Sequence, residues 1–188
     1  LTLANNSLGN DEEGDLGFIS SLVNCTKLTH FDFSRNNLGG VLPESISNLS
    51  TELKKMVFGR NEIRGRIPIG IGNLINLEVL GCEDNLLTGT IPSSIGKLKR
   101  LDALDLNVNK LSGTIPASLG NLTSMTRLIL MSNKLEGNIP QSLGECRNLL
   151  LLVLSQNNLR GQIPKEVIGL ASLSQTLDLS SNKLTGSI

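Results

Sequence analysis

Residues 101–124 read LDALDLNVNKLSGTIPASLGNLTS, and the rest of the chain repeats this stretch with variations. The shared pattern is L-x-x-L-x-L-x-x-N-x-L, whose asparagine recurs every 24 or 25 residues after a longer first interval of 30 residues. A fixed period of this length indicates a solenoid of stacked coils. The asparagines are Asn6, Asn36, Asn61, Asn85, Asn109, Asn133, Asn157 and Asn182.

Each recurring position has a physical reason. The leucines five and three residues before the asparagine alternate along a short strand and point inward, while the residues between them face solvent. The asparagine side chain offers both a donor and an acceptor to backbone groups that would otherwise be buried without partners. Glycine four residues later suits a tight bend, and proline seven residues later suits the margin of a sheet because it lacks an N–H. The pattern therefore predicts parallel strands stacked coil upon coil.

The unit resembles the plant-specific, 24-residue class of leucine-rich repeat, which is marked by L-x-G-x-I-P after the asparagine. The strings SLVNCTKL, GIGNLINLEVLGCEDNLLTGTIPSSIGKL and LLVLSQNNLRGQIPKEVIGLASLSQTLDLSSNKLTGSI also resemble ectodomains of leucine-rich-repeat receptor-like kinases of the plant innate-immunity branch. That branch includes the flagellin, elongation-factor and rice bacterial-blight resistance receptors. The resemblance implies an α/β repeat: a right-handed solenoid with a parallel sheet on its concave face, and short helical turns and a second short strand on the other sides.

The composition narrows the possible partners. The 17 Lys and Arg balance the 17 Asp and Glu, which argues against a nucleic-acid partner. Trp and Tyr are absent and Phe occurs four times, so the core is expected to be aliphatic. No apolar run approaches the roughly 18 residues of a membrane-spanning helix, so we expect any membrane anchor to lie outside this segment.

We expect residues 1–188 to form one solenoid segment of about eight coils. The long first interval places a loop-like insertion at 9–24, which contains the acidic stretch Asp11 to Asp15 and is either a solvated loop or a contact loop. The chain begins within a strand at Leu1 and stops at Ile188, where a proline should follow, and neither end carries a capping module. Terminal repeats normally need caps, so we expect an uncapped piece of a longer ectodomain with marginal stability.

Three cysteines occupy leucine positions of the repeat. Cys82 lies three residues before an asparagine, while Cys25 and Cys146 each lie eleven residues before one. Cys25 and Cys146 are five coils apart, which at a strand spacing of ~4.8 Å is far beyond the reach of a disulfide. We therefore predict that all three are small buried core residues.

Asn-x-Ser/Thr sequons occur at Asn5, Asn24, Asn48 and Asn121. The last three share one phase of the repeat, directly before an inward Leu or Cys on the side of the coil away from the sheet. Sugars there would leave the concave face free for a partner, which favours a secreted protein. Asn5 lies on the concave side and is a weaker candidate.

No catalytic, cofactor or metal site is predicted. His30 has no associated nucleophile, since the cysteines read as core residues. The stretch 89–98 superficially resembles a phosphate loop, but its glycines are too far apart and Leu98 stands where Ser or Thr would bind magnesium. No kinase signature is present, so this segment is not expected to be an enzyme, although the resemblance implies a kinase domain elsewhere in the parent protein.

The outward positions six, four, two and one residues before each asparagine form four columns on the predicted concave face. Along the coils a basic zone is followed by an acidic zone and then by an apolar zone, which would suit an extended peptide. The alternative is that the apolar zone packs against another part of the protein. The candidate ligand-binding residues are His30, Asp32, Arg35, Lys55, Val57, Arg60, Glu83, Asp84, Asp105, Arg127, Ile129, Met131, Leu151 and Val153.

Two functions remain open. The resemblance implies the extracellular ligand-sensing segment of a plant receptor-like serine/threonine kinase in pathogen perception, which binds a peptide or protein elicitor and recruits a co-receptor kinase ectodomain. Such a parent would be anchored in the plasma membrane by a helix outside this segment. The alternative is a soluble, wall-associated inhibitor of pathogen polygalacturonase, a group that shares the same repeat.

Overall fold

The structure, a computed structural model, describes residues 1–187 as one stack of coils. In most coils a short strand leads through a turn into a second short strand, a proline and one helical turn. The strands are β1 (His30–Asp32), β2 (Lys55–Val57), β3 (Arg64–Arg66), β4 (Val79–Gly81), β5 (Leu86–Gly89), β6 (Ala103–Asp105), β7 (Lys110–Thr114), β8 (Arg127–Ile129), β9 (Lys134–Gly137), β10 (Leu151–Val153), β11 (Asn158–Gly161), β12 (Thr176–Asp178) and β13 (Lys183–Leu184). The helical turns are α1 (Phe18–Leu22) and α2 (Lys165–Ile168), with 3-10 turns at Glu44–Asn48, Ile69–Asn73, Ser93–Lys97, Ala117–Asn121 and Gln141–Glu145.

Two parallel sheets run along the stack. Seven strands, in the order β1-β2-β4-β6-β8-β10-β12, form what we call the concave sheet. Thr2 adds a first coil through an isolated bridge to Asp32. The remaining strands form a six-stranded sheet in the order β3-β5-β7-β9-β11-β13. In the concave sheet residues of equal phase pair, as Leu80 does with Met56 and Leu104, so inward side chains form continuous rows. In the other sheet the pairing is offset by two residues, as in the pair of Thr88 with Lys110. This architecture confirms the predicted leucine-rich-repeat fold.

The asparagines join neighbouring coils through hydrogen bonds. Asn85 is representative: its Oδ1 accepts from the N–H of Ile63 at 3.0 Å, and its Nδ2 donates to the carbonyl of Phe58 at 3.1 Å in the preceding coil. The asparagines from Asn36 to Asn157 are each at most 9% exposed. Their amides therefore satisfy backbone groups that water cannot reach.

The residues that follow each asparagine reverse the chain. The glycine four positions later, such as Gly65 or Gly113, has a φ between 75° and 90° from the second coil onward, a left-handed conformation that glycine adopts without steric cost. The six prolines each stand directly before a helical turn in extended conformation. The missing proline N–H therefore removes no bond from either sheet.

The core is aliphatic along most of the stack but aromatic at its first coils. The ring centroid of Phe33 lies 4.7 Å from that of Phe31, 5.4 Å from that of Phe58 and 5.8 Å from that of Phe18. All four phenylalanines of the chain therefore pack in one cluster. The expectation of an aliphatic core holds only beyond this cluster.

One predicted core residue is not in the core. Cys82 and Cys146 are fully buried, as expected, whereas Cys25 is exposed, so its prediction was wrong. Cys25 follows α1, which packs against the 3-10 turn at Glu44–Asn48 on one side only. Within residues 1–187 no second helical turn packs against α1, which repeat phase alone does not reveal.

Residues 9–24 lie against the second coil. The Oδ2 of Asp15 accepts hydrogen bonds from the N–H groups of Gly39, Asn10 and Glu12 at 2.9, 3.1 and 3.1 Å. Asp11 forms an ion pair with Arg64 of β3. The second half of this range contains α1, which continues the row of helical turns. Carboxylates thus tie the acidic stretch to the solenoid.

Within residues 1–187 no helix has the length and apolar character needed to cross a bilayer.

Candidate functional site

The concave sheet presents the predicted ligand-binding residues to solvent. Each strand alternates, so that Leu104 of β6 is fully buried while Asp105 beside it faces outward. All fourteen candidates lie on these strands or within three residues of their ends, and all are exposed or half-buried. The structure thus brings them onto one continuous surface.

The first part of this surface is basic. Arg35 and Arg60 are exposed, and Lys55 lies 3.3 Å from the carboxylate of Asp32. Burial acts to raise the pKa of Asp32, but hydrogen bonds from Ser34 and the contact with Lys55 outweigh it and lower that pKa overall. The ion pair therefore neutralises only part of the positive charge in this zone.

The next part is acidic, with Asp84 exposed and Glu83 and Asp105 half-buried. Burial raises the pKa of Glu83, and the nearby charge of Asp105 raises it further. Burial also raises the pKa of Asp105, against the effect of hydrogen bonds that Asn107 donates at 3.1 and 2.7 Å. Both carboxylates are therefore incompletely solvated.

The last part is apolar. Val153 of β10 pairs directly with Ile129 of β8. Met131 and Leu151 lie in the neighbouring columns, and all four side chains are half-buried. They form an apolar patch beside the acidic residues, and because they are half-buried, the apolar surface that a partner can contact is limited.

A depression of about 180 Å³ lies where the acidic and apolar parts meet. Gly81 of β4 and Ala103 of β6 leave the space, because larger side chains such as Val57 and Arg127 occupy the same phases in neighbouring coils. The side chains around it are apolar at Val57, Val79 and Ile129, and polar at Glu83, Asp105 and Arg127.

Sequence reasoning missed the small residues that create this depression. Gly81 and Ala103 attracted no attention because neither carries a functional group, although two small residues at outward positions of adjacent coils are visible in the alignment of the repeats. It also missed Val108, which is 41% exposed and has a φ of 50°, a conformation that is unfavourable for a β-branched residue.

A larger cavity of about 670 Å³ lies on another side of the solenoid, between β3, β5 and β7 and the helical turns. Its residues include Ile69, Thr90, Pro92 and Ser118, and Arg66 is its one charged side chain. The regular spacing of the G-x-I-P segments produces this groove. Among residues 1–187 no acidic side chain lines it, so it does not combine both signs of charge with apolar groups as the concave sheet does.

The sequons at Asn24, Asn48 and Asn121 lie on the side of the helical turns. Asn48 and Asn121 are exposed and end their 3-10 turns, and Asn24 is exposed just after α1. These turns form the side of each coil away from the concave sheet. Asn5 is also exposed and lies in the first coil near the concave sheet. Sugars at the first three sites would leave the concave residues uncovered.

Comparisons with known proteins agree with this architecture. Leucine-rich-repeat family profiles match residues 75–135 and 27–49. In Arabidopsis thaliana, the putative receptor-like protein kinase At3g47110 is 54% identical over 80 residues, and the LRR receptor-like serine/threonine-protein kinase EFR is 49% identical over 83 residues. These matches cover 43% and 44% of this chain and 8% of each relative.

Solved structures of the Arabidopsis receptor kinase HAESA are also similar. Its leucine-rich-repeat ectodomain in complex with an IDA peptide hormone aligns with a TM-score of 0.87 and 35% identity, over 100% of this chain and 31% of the other. HAESA in complex with IDA and the co-receptor SERK1 aligns with a TM-score of 0.74 and 30% identity, over 100% of this chain and 35% of the other.

The fold and the repeats define the chain as a leucine-rich-repeat solenoid. Its repeats are similar to those of plant leucine-rich-repeat receptor kinases, in agreement with the resemblance drawn from the sequence. The chain spans less than a tenth of the length of the curated relatives it matches.

Proposed function

We propose that the chain is a segment of the extracellular, ligand-sensing domain of a plant receptor-like serine/threonine kinase in pathogen perception. It binds a peptide or protein elicitor on its concave sheet, and the complex recruits a co-receptor kinase ectodomain. The kinase domain and the membrane-spanning helix of such a receptor lie outside this segment, which is held on the outer side of the plasma membrane.

The observation that carries this proposal is the contrast between the two sides of the solenoid. The concave sheet offers charged, polar and apolar side chains along seven strands, whereas the opposite side carries the in-phase sequons at Asn24, Asn48 and Asn121. A protein that is glycosylated away from a chemically varied sheet keeps that sheet available for a ligand.

The similar proteins support the assignment to the class of plant receptor kinases. EFR is a receptor kinase, and HAESA has been seen with a peptide hormone and with a co-receptor. The alternative of a polygalacturonase inhibitor is not favoured, because receptor kinases are what the repeats match at 49–54% identity.

A displayed library of random linear peptides tests the proposal. Peptides selected on the secreted 188-residue chain are titrated against Lys55→Glu/Arg60→Glu, which reverses two charges on the concave sheet. The matched control is Lys97→Glu/Arg100→Glu, which makes the same change in charge on the exposed opposite side. We expect the concave variant to lose affinity about tenfold or more and the control to retain it. Equal losses in both variants, or no selectable peptide, would contradict the proposal.

A further inference from the structure

The depression at β4 and β6 is too small for most free ligands. Small-molecule pockets usually enclose about 300–1,000 Å³, whereas this one encloses about 180 Å³. A single side chain that projects from an extended peptide matches that size better. Gly81 and Ala103 both line it, and neither carries more than a methyl group, so such a side chain can approach the sheet closely there.

The carboxylate of Glu83 lies between two glycines of neighbouring coils. A Cβ at Gly59 would overlap that carboxylate, and a Cβ at Gly81 would lie 3.2 Å from its Oε2. The carboxylate therefore lies along the sheet beside the depression, with its Oε2 next to Gly81.

The two carboxylates lack strong partners among residues 1–187. Neither Glu83 nor Asp105 forms a salt bridge there. Asp105 accepts hydrogen bonds from Asn107 alone, and Glu83 has only its own backbone N–H. A half-buried carboxylate has room for about four hydrogen bonds, so several acceptor sites remain open.

The cationic side chains nearby are not strong partners for Glu83 and Asp105. Arg127 borders the depression and Arg60 and Arg35 act on Glu83 from a distance, yet the pKa of each carboxylate stays above its ordinary value because burial outweighs them. A cation placed inside the depression would be nearer and better shielded from water, so its attraction would be stronger.

We propose that this depression is a specificity pocket for one lysine or arginine side chain of an extended peptide ligand. The aliphatic stem of that side chain lies against Val57, Val79 and Ile129, and its charged end donates hydrogen bonds to Glu83 and Asp105. Long basic side chains combine an apolar stem with a charged tip in this way. The inference rests on the proposed function, since it concerns the same concave surface.

Peptides selected from the random library on the wild-type chain are the probe. We expect one position to be enriched in Lys or Arg, and its replacement by norleucine, which keeps the stem and removes the charge, to weaken binding about tenfold or more. Glu83→Gln and Asp105→Asn should each remove most of that difference. Glu136→Gln, which removes the same charge from the exposed face of β9 on the other sheet, should leave it unchanged.

Gly81→Val fills the depression without altering charge. Val57 and Val153 occupy the same phase in other coils, so valine suits the strand itself. Its Cβ would lie 3.2 Å from Glu83 Oε2 and 3.4 Å from Val57 Cγ1, so the variant fills the space and also displaces the Glu83 carboxylate. We expect this variant to fold and to lose selectivity for the basic side chain. Two outcomes would overturn the pocket while leaving the proposed function in place. In the first, binding depends on Lys55 and Arg60 but no peptide position prefers Lys or Arg. In the second, such a preference exists but persists in Gly81→Val and Glu83→Gln. Failure to select any peptide would overturn both.

Discussion

The Oδ1 atom of Asn109 accepts a hydrogen bond from the backbone N–H of Leu87, one coil earlier, at 3.0 Å. Its Nδ2 donates to the carbonyl of Cys82 at 3.0 Å, also in the earlier coil. One buried amide thus serves both a donor and an acceptor of the neighbouring backbone, which no purely accepting or purely apolar side chain can do. The same geometry recurs at the other buried asparagines, so the stack depends on a side-chain ladder as well as on its sheets.

Asn109→Asp should be strongly destabilising. The carboxylate keeps the acceptor for Leu87 but loses the donors, and it places negative charge beside buried carbonyls. We expect a loss of about 3 kcal/mol or more in the free energy of unfolding, measured by urea titration. Asn182→Asp is the matched control, because its bonds are equivalent but its site is half-buried; its loss should be clearly smaller. Equal losses would argue against the burial of the ladder as the cause.

Val108→Asn should stabilise the chain. Val108 has a φ of 50° and 41% exposure, whereas the same phase elsewhere carries Arg, Asp, Ser, Gln or Asn. Asparagine adopts this conformation more readily than a β-branched residue, so we expect a gain of about 1 kcal/mol. Ser132→Asn at the same phase should change the unfolding midpoint much less. A loss of stability on Val108→Asn would show that the valine makes contacts that outweigh its backbone strain.

Glu83→Gln should stabilise the chain at neutral pH. The folded-state pKa of Glu83 is raised, so the folded chain binds this proton more tightly than the unfolded chain, and ionisation costs stability as the pH rises through that pKa. We expect a gain below about 1 kcal/mol at pH 7, given solvent screening, which disappears below about pH 4. Thermal unfolding of wild type and variant at pH 7 and below about pH 4 measures this difference in stability.

Asp32→Asn should change the stability at neutral pH in the opposite direction, by destabilising the chain. The pKa of Asp32 is lowered in the folded chain. Its ionised carboxylate therefore stabilises the fold at neutral pH, and this stabilisation is lost as the pH falls through the folded pKa. This variant, made in bacteria to avoid glycosylation at the sequon it creates, should be less stable than wild type at pH 7. A gain at pH 7 for both variants would refute the assigned environments.

Thiol labelling should separate Cys25 from the other cysteines. Burial raises the pKa of Cys82 well above its ordinary value and that of Cys146 to about 11, and both are fully buried, whereas Cys25 is exposed. Because the thiolate is the reactive form, iodoacetamide at pH 8 should label Cys25 alone in the folded chain and all three after denaturation. Peptide mass mapping identifies the sites. Native labelling of Cys82 or Cys146 at a similar rate would contradict the packing.

The repeat pattern was sufficient to predict the strands, the asparagine hydrogen bonds and the outward columns, because a strict period fixes which way each side chain points. It could not predict features that depend on contacts outside the repeat. The exposure of Cys25 depends on which coils flank it, and the attachment of the acidic stretch depends on Asp15 meeting Gly39. The depression depends on Gly81 and Ala103 lying diagonally on adjacent strands, where Gly81 pairs with Asp105 and Ala103 with Val79, and a list of functional side chains does not reveal this.

Placing one N-linked glycan on either side of the solenoid tests the central claim, that the concave sheet binds the ligand. Val153→Asn creates the sequon Asn-Leu-Ser on the concave sheet, and Ile75→Thr creates Asn73-Leu-Thr on the opposite side, where Asn73 shares the phase of Asn121. Val153→Gln controls for the polar side chain without a sugar. All three are secreted from plant cells, checked for glycan occupancy by mass spectrometry, and titrated with peptides selected on the wild-type chain. We predict that the glycan at position 153 abolishes binding, that Val153→Gln weakens binding far less than the glycan does, and that the glycan at Asn73 leaves binding within about threefold of wild type, below 1 kcal/mol. Binding that survives the glycan at position 153 and is lost with the glycan at Asn73 would contradict the account.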